Sequence, residues 1–118
     1  MTAAGDPTVL AGERVRLRPT RPEDAAAFVR WADDPDFARY QWGRGPGRFA
    51  DEAAVVEWWD LFSRRDGRLF VIEHEGRPVG FANYREWRPK PASCEIGIGI
   101  GERALWSKGL GRDALMAL

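Results

Sequence analysis

Apolar residues recur along the chain first at period two and then at helical spacing. Val15-Arg16-Leu17-Arg18 alternates apolar and charged positions, the pattern of a short half-buried strand, and Pro19 ends it. Thr20-Arg21-Pro22-Glu23 sets a Thr three residues ahead of a Glu with Pro in the first turn, which predicts a helix start. Ala25, Phe28, Val29 and Ala32 follow at helical spacing, and Asp33-Asp34-Pro35 stops the run. Three glycines and a proline between Gln41 and Phe49 give too much backbone freedom for a regular element and predict a mobile loop. Asp51 then reads as the cap of a second helix, with Val55, Trp58, Trp59 and Phe62 on one apolar face, running out at Arg64-Arg65-Asp66-Gly67.

Two β-prone runs, Leu69-Phe70-Val71-Ile72-Glu73 and Pro78-Val79-Gly80-Phe81-Ala82-Asn83-Tyr84, flank His74-Glu75-Gly76-Arg77 and predict an antiparallel hairpin with a Gly-containing turn. Arg88-Pro89-Lys90-Pro91 breaks the chain. Cys94-Glu95-Ile96-Gly97-Ile98-Gly99-Ile100 then alternates Ile with Gly, a strand whose neighbours must approach closely. Gly109-Leu110-Gly111 leads into a last helix with Leu110, Ala114 and Leu118 on one side, and the sequence stops there without a cap, a Gly or a polar tail, as a truncated element does. The expected order is β-α-α-β-β-β-α: an α/β (α+β) fold with a mixed, mainly antiparallel sheet flanked by helices. Residues 1–12 are small, polar and unpatterned and read as a disordered leader, so the single domain runs over 13–118.

Composition narrows the function classes. With 44% hydrophobic and 12% aromatic residues the 118-residue chain can build a core. Eighteen Lys and Arg balance eighteen Asp and Glu, which leaves no electrostatic footprint for nucleic acid or an anionic membrane. No apolar run nears the ~20 residues of a bilayer span, and the first residues lack a secretory signal, so a cytoplasmic protein is expected. One Cys and one His exclude an internal disulfide and a structural zinc site, and no metal is expected.

The candidate chemistry lies where the Gly-spaced strand is followed by Lys108-Gly109-Leu110-Gly111-Arg112 and a helix. A helix N-terminus leaves backbone N–H groups unpaired and carries partial positive charge, and glycines let an anion approach the backbone. Lys108 and Arg112 add charge at the same place. The same glycines would equally serve as a tight connection and nothing more. Gly109 to Ala114 also satisfies the Gly-x-Gly-x-x-Ala dinucleotide fingerprint, but eight residues separate Ile100 from Gly109, and the sequence ends before an acidic residue could appear at the required distance.

Glu95-Ile96-Gly97-Ile98-Gly99-Ile100 and Trp106-Ser107-Lys108-Gly109-Leu110-Gly111-Arg112-Asp113-Ala114 closely resemble the acetyl-coenzyme A motif of GNAT N-acetyltransferases, Gln/Arg-x-x-Gly-x-Gly/Ala, with Trp106 at the Gln/Arg position. Gly12 to Asp24 resembles the start of the branch that includes the ribosomal-protein N-terminal acetyltransferases. The resemblance covers Gly12 to the end and implies a domain lacking its C-terminal strands. It implies that the amides of Ser107, Lys108, Gly109, Leu110, Gly111 and Arg112 hold the pyrophosphate of acetyl-coenzyme A, and that Ile98, Gly99 and Ile100 pair with its pantetheine. It implies acetyl transfer to an amine acceptor by direct attack on the thioester, with Glu95 as the candidate general base; an ordinary solvent-facing Glu is the plainer reading. The family's thiolate-protonating residue would lie beyond Leu118. His74 beside the hairpin turn reads as exposed surface, Cys94 as a small buried filler, Tyr84 as structural, and Trp58 and Trp59 as core. The Gly43-to-Arg48 loop reads either as an acceptor-site lid or as a plain connection. The rival to an enzyme is a shortened, non-catalytic domain that binds coenzyme A or a partner through an unpaired strand edge, which also invites self-association as a homodimer.

Overall fold

A computed structural model describes residues 9–43, 45, 47–64, 67–87 and 93–118, with the backbone alone for 64, 86, 87 and 93–95. The elements are β1 (Leu10–Ala11), β2 (Arg16–Pro19), α1 (Ala25–Ala32), α2 (Pro35–Trp42), α3 (Glu52–Arg64), β3 (Gly67–His74), β4 (Arg77–Trp87), β5 (Ser93–Ile100) and α4 (Leu110–Ala117), with 3-10 turns at Pro22–Asp24 and Arg103–Leu105. The strands form one antiparallel sheet in the order β1-β2-β3-β4-β5. This is the expected mixed α/β fold with a mainly antiparallel sheet flanked by helices.

Leu69, Phe70, Val71 and Ile72 on β3 are all buried because both faces of the sheet are covered. On one side Phe28, Trp31, Phe37, Val55 and Trp59 from α1, α2 and α3 pack with Val71 and Phe81, and the Phe28 ring stacks on Phe81 at 5.4 Å between centroids. Trp58 packs partly buried against the same cluster, so the helix-face tryptophans are core residues. On the other side Leu17, Phe70, Ile72 and Ala82 meet Leu110 and Ala114 of α4. The β3–β4 hairpin turns at Glu75 and Gly76, both left-handed at φ 53° and 78°, which suits the twist of a two-residue connection. Asp51 caps α3 as expected, its carboxylate accepting from the Ala54 amide at 3.0 Å.

Four sequence expectations shift. A strand lies inside the segment read as a leader: Leu10 pairs with Leu17 and Ala11 with Arg16, while residues 1–8 lie outside the described residues. A helix that the pattern did not predict, α2, follows directly on α1. Asp34 is extended (ψ 116°) and its carboxylate accepts from the amides of Asp36 (3.0 Å) and Phe37 (3.4 Å), so Pro35 stands in the first turn and starts a helix rather than ending one. α2 runs through Gln41 and Trp42 to left-handed Gly43, so the loop begins later than expected, and its residues 44 and 46 lie outside the described residues. At the first helix, Asp24 rather than Glu23 turns back, accepting from the Arg21 amide at 2.7 Å.

Arg18, 4% exposed, ties these pieces together. Its guanidinium donates to both oxygens of Asp24 (2.9 and 3.0 Å) and to Glu73 (2.8 Å), joining β2, the Pro22–Asp24 turn and β3. Hydrogen bonding to Asp24, opposed by burial and helped by Glu73, raises its pKa further and fixes the positive charge.

Candidate functional site

The Ile–Gly alternation of β5 separates two surroundings. Ile98 and Ile100 pack with Leu110 and Ala114 beneath α4. The glycines admit the other helical layer: a Cβ on Gly99 would lie 2.6 Å from Gln41 Nε2 and 3.1 Å from Phe37, and one on Gly101 would lie 2.2 Å from the Trp31 ring. Close approach is therefore what the glycines serve, as the spacing predicts.

β5 pairs with β4 through Phe81↔Gly99 and Gly80↔Ile100, and the Gly101 amide donates to the Val79 carbonyl at 2.7 Å. In an antiparallel ladder alternate residues turn both backbone groups to the partner, so those of Ile98 and Ile100 face the opposite way. Their carbonyls are covered by side chains: Gln41 Nε2 donates to Ile98 at 2.9 Å, and the Trp106 indole donates to Ile100 at 2.6 Å. Among the described residues the outward N–H groups of the two meet no acceptor and are left as donors.

Beyond β5 the chain is tied back to α2. Arg103 donates to Asp34 from Nε (3.1 Å) and Nη2 (2.5 Å), pairs with Asp36 at 2.9 Å, and lies 4.9 Å from the centre of the Trp106 ring. Burial works against the Asp34 carboxylate, yet hydrogen bonds from Arg103 and the Phe37 and Asp36 amides outweigh it and hold the pKa low. Glu102 behaves alike: burial opposes the charge, and the Trp31 indole (2.7 Å) and Arg30 prevail by hydrogen bonding. Ser107 and Gly109 are left-handed at φ 64° and 83°, and α4 starts from Gly109 with no side chain capping it. Its first-turn amides have no acceptor within the helix and carry the positive end of its dipole.

Between α2 and this turn opens a cleft of about 860 Å³, within the size range of small-molecule sites. Ile98, Gly99, Ile100, Ser107, Gly109, Leu110, Gly111 and Arg112 line it, opposite Phe37, Tyr40 and Gln41. Lys108 is exposed, and its carbonyl accepts from Arg14 Nη2 at 2.7 Å. The Glu95 backbone lies opposite Arg85 on β4; its side chain and that of Cys94 lie outside the described residues. His74 is only 17% exposed in its side chain and hydrogen-bonds through Nδ1 to the Arg14 carbonyl at 3.0 Å, so it is held within the fold rather than free on the surface. Half-buried Tyr84 packs beside the core under α4. Among the described residues no three His, Cys, Asp or Glu side chains group as a metal site, and no helix is long and apolar enough to cross a membrane.

Gln41 and Trp106 line this cleft while Arg103 and Asp34 tie its two sides together, and sequence reasoning missed all but the motif position of Trp106. The one signal for α2 is Asp34-Pro35-Asp36, a cap with Pro and an acid in the first turn. Asp113 was missed too. It accepts from the amides of Glu13 (2.8 Å), Arg14 (2.7 Å) and Val15 (3.0 Å), and these bonds, led by Arg14 and Glu13, lower its pKa.

Among curated proteins none matches this sequence. Similar solved structures include a GNAT-family acetyltransferase from Bacillus anthracis at 18% identity and TM-score 0.72, covering 93% of this chain and 63% of that one. An aminoglycoside acetyltransferase in complex with coenzyme A is 19% identical at TM-score 0.68, over 87% of this chain and 64% of that one. A protein from Vibrio cholerae provisionally described as a ribosomal-protein-serine acetyltransferase is 18% identical at TM-score 0.65, over 93% and 63%. The chain thus spans less than two-thirds of the length of these structures. The family model of the GNAT acetyltransferase domain matches residues 14–118, and the chain belongs to that family.

Proposed function

We propose that this domain, over residues 13–118, transfers an acetyl group from acetyl-coenzyme A to a primary amine, a protein N-terminus or a small-molecule amine. The observation that carries the reading is one cleft holding both the outward N–H groups of Ile98 and Ile100 and the uncapped start of α4 at Gly109. The amides of Ser107 to Arg112 suit a pyrophosphate, since they present donors and partial positive charge with no side chain on Gly109 or Gly111. The N–H groups of Ile98 and Ile100 suit the carbonyl oxygens of a pantetheine arm laid along the edge. When bound, the thioester, whose C–S bond breaks as the C–N bond forms so that coenzyme A leaves as the thiol, supplies the activated acetyl group. A strand N–H stabilises negative charge growing on its carbonyl oxygen during attack. The amine must lose a proton to attack, and Glu95, on the same strand, takes the role of base. The likeness of the Gly12–Asp24 start to the branch of ribosomal-protein acetyltransferases, to which the Vibrio cholerae structure is provisionally assigned by its description, favours a protein N-terminus as acceptor.

Calorimetric titration with acetyl-coenzyme A, with NAD as control, tests the cofactor assignment. Saturable binding that Gly111→Leu removes, with no heat from NAD, is expected; a folded chain that binds neither, or both alike, overturns it. Glu95→Gln is expected to lower kcat by about 10²–10⁴-fold with the affinity for acetyl-coenzyme A kept. Binding without turnover of any amine would leave a coenzyme A-binding domain in place of an enzyme.

A further inference from the structure

The turn that forms the cleft floor is held from behind by the start of the chain. Asp113 stands in the first turn of α4, where a carboxylate ordinarily turns to the helix's own amides and neutralises its positive end. Here it turns the other way and accepts three backbone N–H groups, from Glu13, Arg14 and Val15. Gly12 makes this approach possible, since a Cβ there would lie 2.6 Å from the Asp113 carboxylate. A second point of attachment lies one turn earlier, where Arg14 Nη2 donates to the Lys108 carbonyl at 2.7 Å. The Arg14 carbonyl in turn accepts from His74 at 3.0 Å, so the clip is anchored at the end of β3.

The Lys108 attachment stands between the two left-handed residues, and Gly109 lies between it and Asp113. Ser107 precedes Lys108, and Gly109 follows it. A non-glycine residue persists in that conformation only where its surroundings hold it there. An anion site made of backbone amides binds well when the amides already converge, because ordering them on binding would draw on the binding energy.

We propose that Asp113 and Arg14 are positioning residues for the cofactor turn: together they clip Gly12–Val15 to both ends of the Lys108–Asp113 segment and preset its amides for the pyrophosphate. This rests on the acetyl-coenzyme A reading above. It adds that the segment before β2 is a working part of the cofactor site, although it touches no ligand. Asp113, with its charge taken up by three donors from another part of the chain, also leaves the helix end free to face a phosphate.

The test compares Arg14→Met and Asp113→Ala with the parent chain in three readouts: acetyl-coenzyme A affinity, thermal midpoint, and hydrogen exchange of the 109–112 amides without ligand. Arg14 is exposed, so Arg14→Met removes the Lys108 bond with little risk to folding. Expected are affinities weaker by about 3- to 10-fold for Arg14→Met and 10-fold or more for Asp113→Ala, with faster exchange confined to the turn. For an active chain, KM for acetyl-coenzyme A rises while kcat at saturation holds. Unchanged affinity and exchange in Arg14→Met and in any folded Asp113 variant would overturn the clip. A parent chain that binds no acetyl-coenzyme A would overturn the cofactor reading instead, and the exchange rates would then show whether the clip orders the turn.

Discussion

Gly101→Ala is the sharpest probe of how the helical layer seats on β5. The Gly101 amide already donates to Val79, which fixes the backbone at this point. The added methyl carbon would sit 2.2 Å from Cγ and Cδ2 of Trp31 and 2.6 Å from Cδ1. Carbon atoms rest about 3.5–4.0 Å apart, so ring or strand must move by more than an ångström. The ring is no flexible end: Trp31 is 2% exposed, lies 5.0 Å from the Phe28 ring and is held by its bond to Glu102. Overpacking of this kind costs about 1–3 kcal/mol, and loss of the Trp31–Glu102 bond adds roughly 1 kcal/mol. The expected total of about 2–4 kcal/mol is a large share of the ~5–15 kcal/mol that holds a domain together. Urea unfolding followed by fluorescence should show a lower midpoint with an unchanged slope. Trp31→Leu destabilises by itself, but it opens the space that the methyl needs. The double variant should therefore be more stable than the two single effects sum to, by about 1 kcal/mol or more. A cost below about 0.5 kcal/mol for Gly101→Ala, or strict additivity in the double variant, would refute the close-approach account.

Two further outcomes follow from charges already described. Arg18→Met leaves the buried Asp24 carboxylate without its guanidinium and is expected to cost about 3–5 kcal/mol by denaturant unfolding, whereas Arg39→Ala, which breaks only the exposed Arg39–Asp36 pair (3.0 Å), should cost less than about 0.5 kcal/mol. Asp34, Glu102 and Asp113 all have pKa values lowered in the folded state. The unfolded chain then binds more protons, so their contribution is full above the ordinary carboxylate value of about 4 and is lost as pH falls through the lowered values. Stability should be flat from neutral pH down to about 5 and fall below about 4, less steeply in Asp113→Asn; an unchanged acid limb in that variant would contradict the three-amide clip.

Elements whose patterns answer to local physics were legible in the sequence. The apolar face of α3 and its Asp51 cap, the turn at Gly76, and the Ile–Gly alternation of β5 each carry their cause within a few residues. The Gly turn before α4 was legible for the same reason, since a left-handed residue at the start of a helix favours a glycine such as Gly109. Pro35 was ambiguous because proline both stops a helix and opens one, and only the extended backbone at Asp34 decides between them. β1 is two residues long and has no period to detect. The contacts that shape the cleft were not legible at all. Gln41 meets Ile98 across 57 positions, and Arg14 meets Asp113 across 99, and no local rule connects residues so far apart.

The covered carbonyls of β5 carry one more consequence. A strand from a second copy of the chain needs an edge that alternately gives and takes hydrogen bonds. At Ile98 and Ile100 this edge only gives, because Gln41 and Trp106 already occupy the oxygens. Sheet growth there would first have to evict both side chains, whereas a slender molecule bearing carbonyl oxygens displaces nothing. At these two residues the rim of the sheet is thus a poor template for another strand, its acceptors already taken by the protein's own side chains.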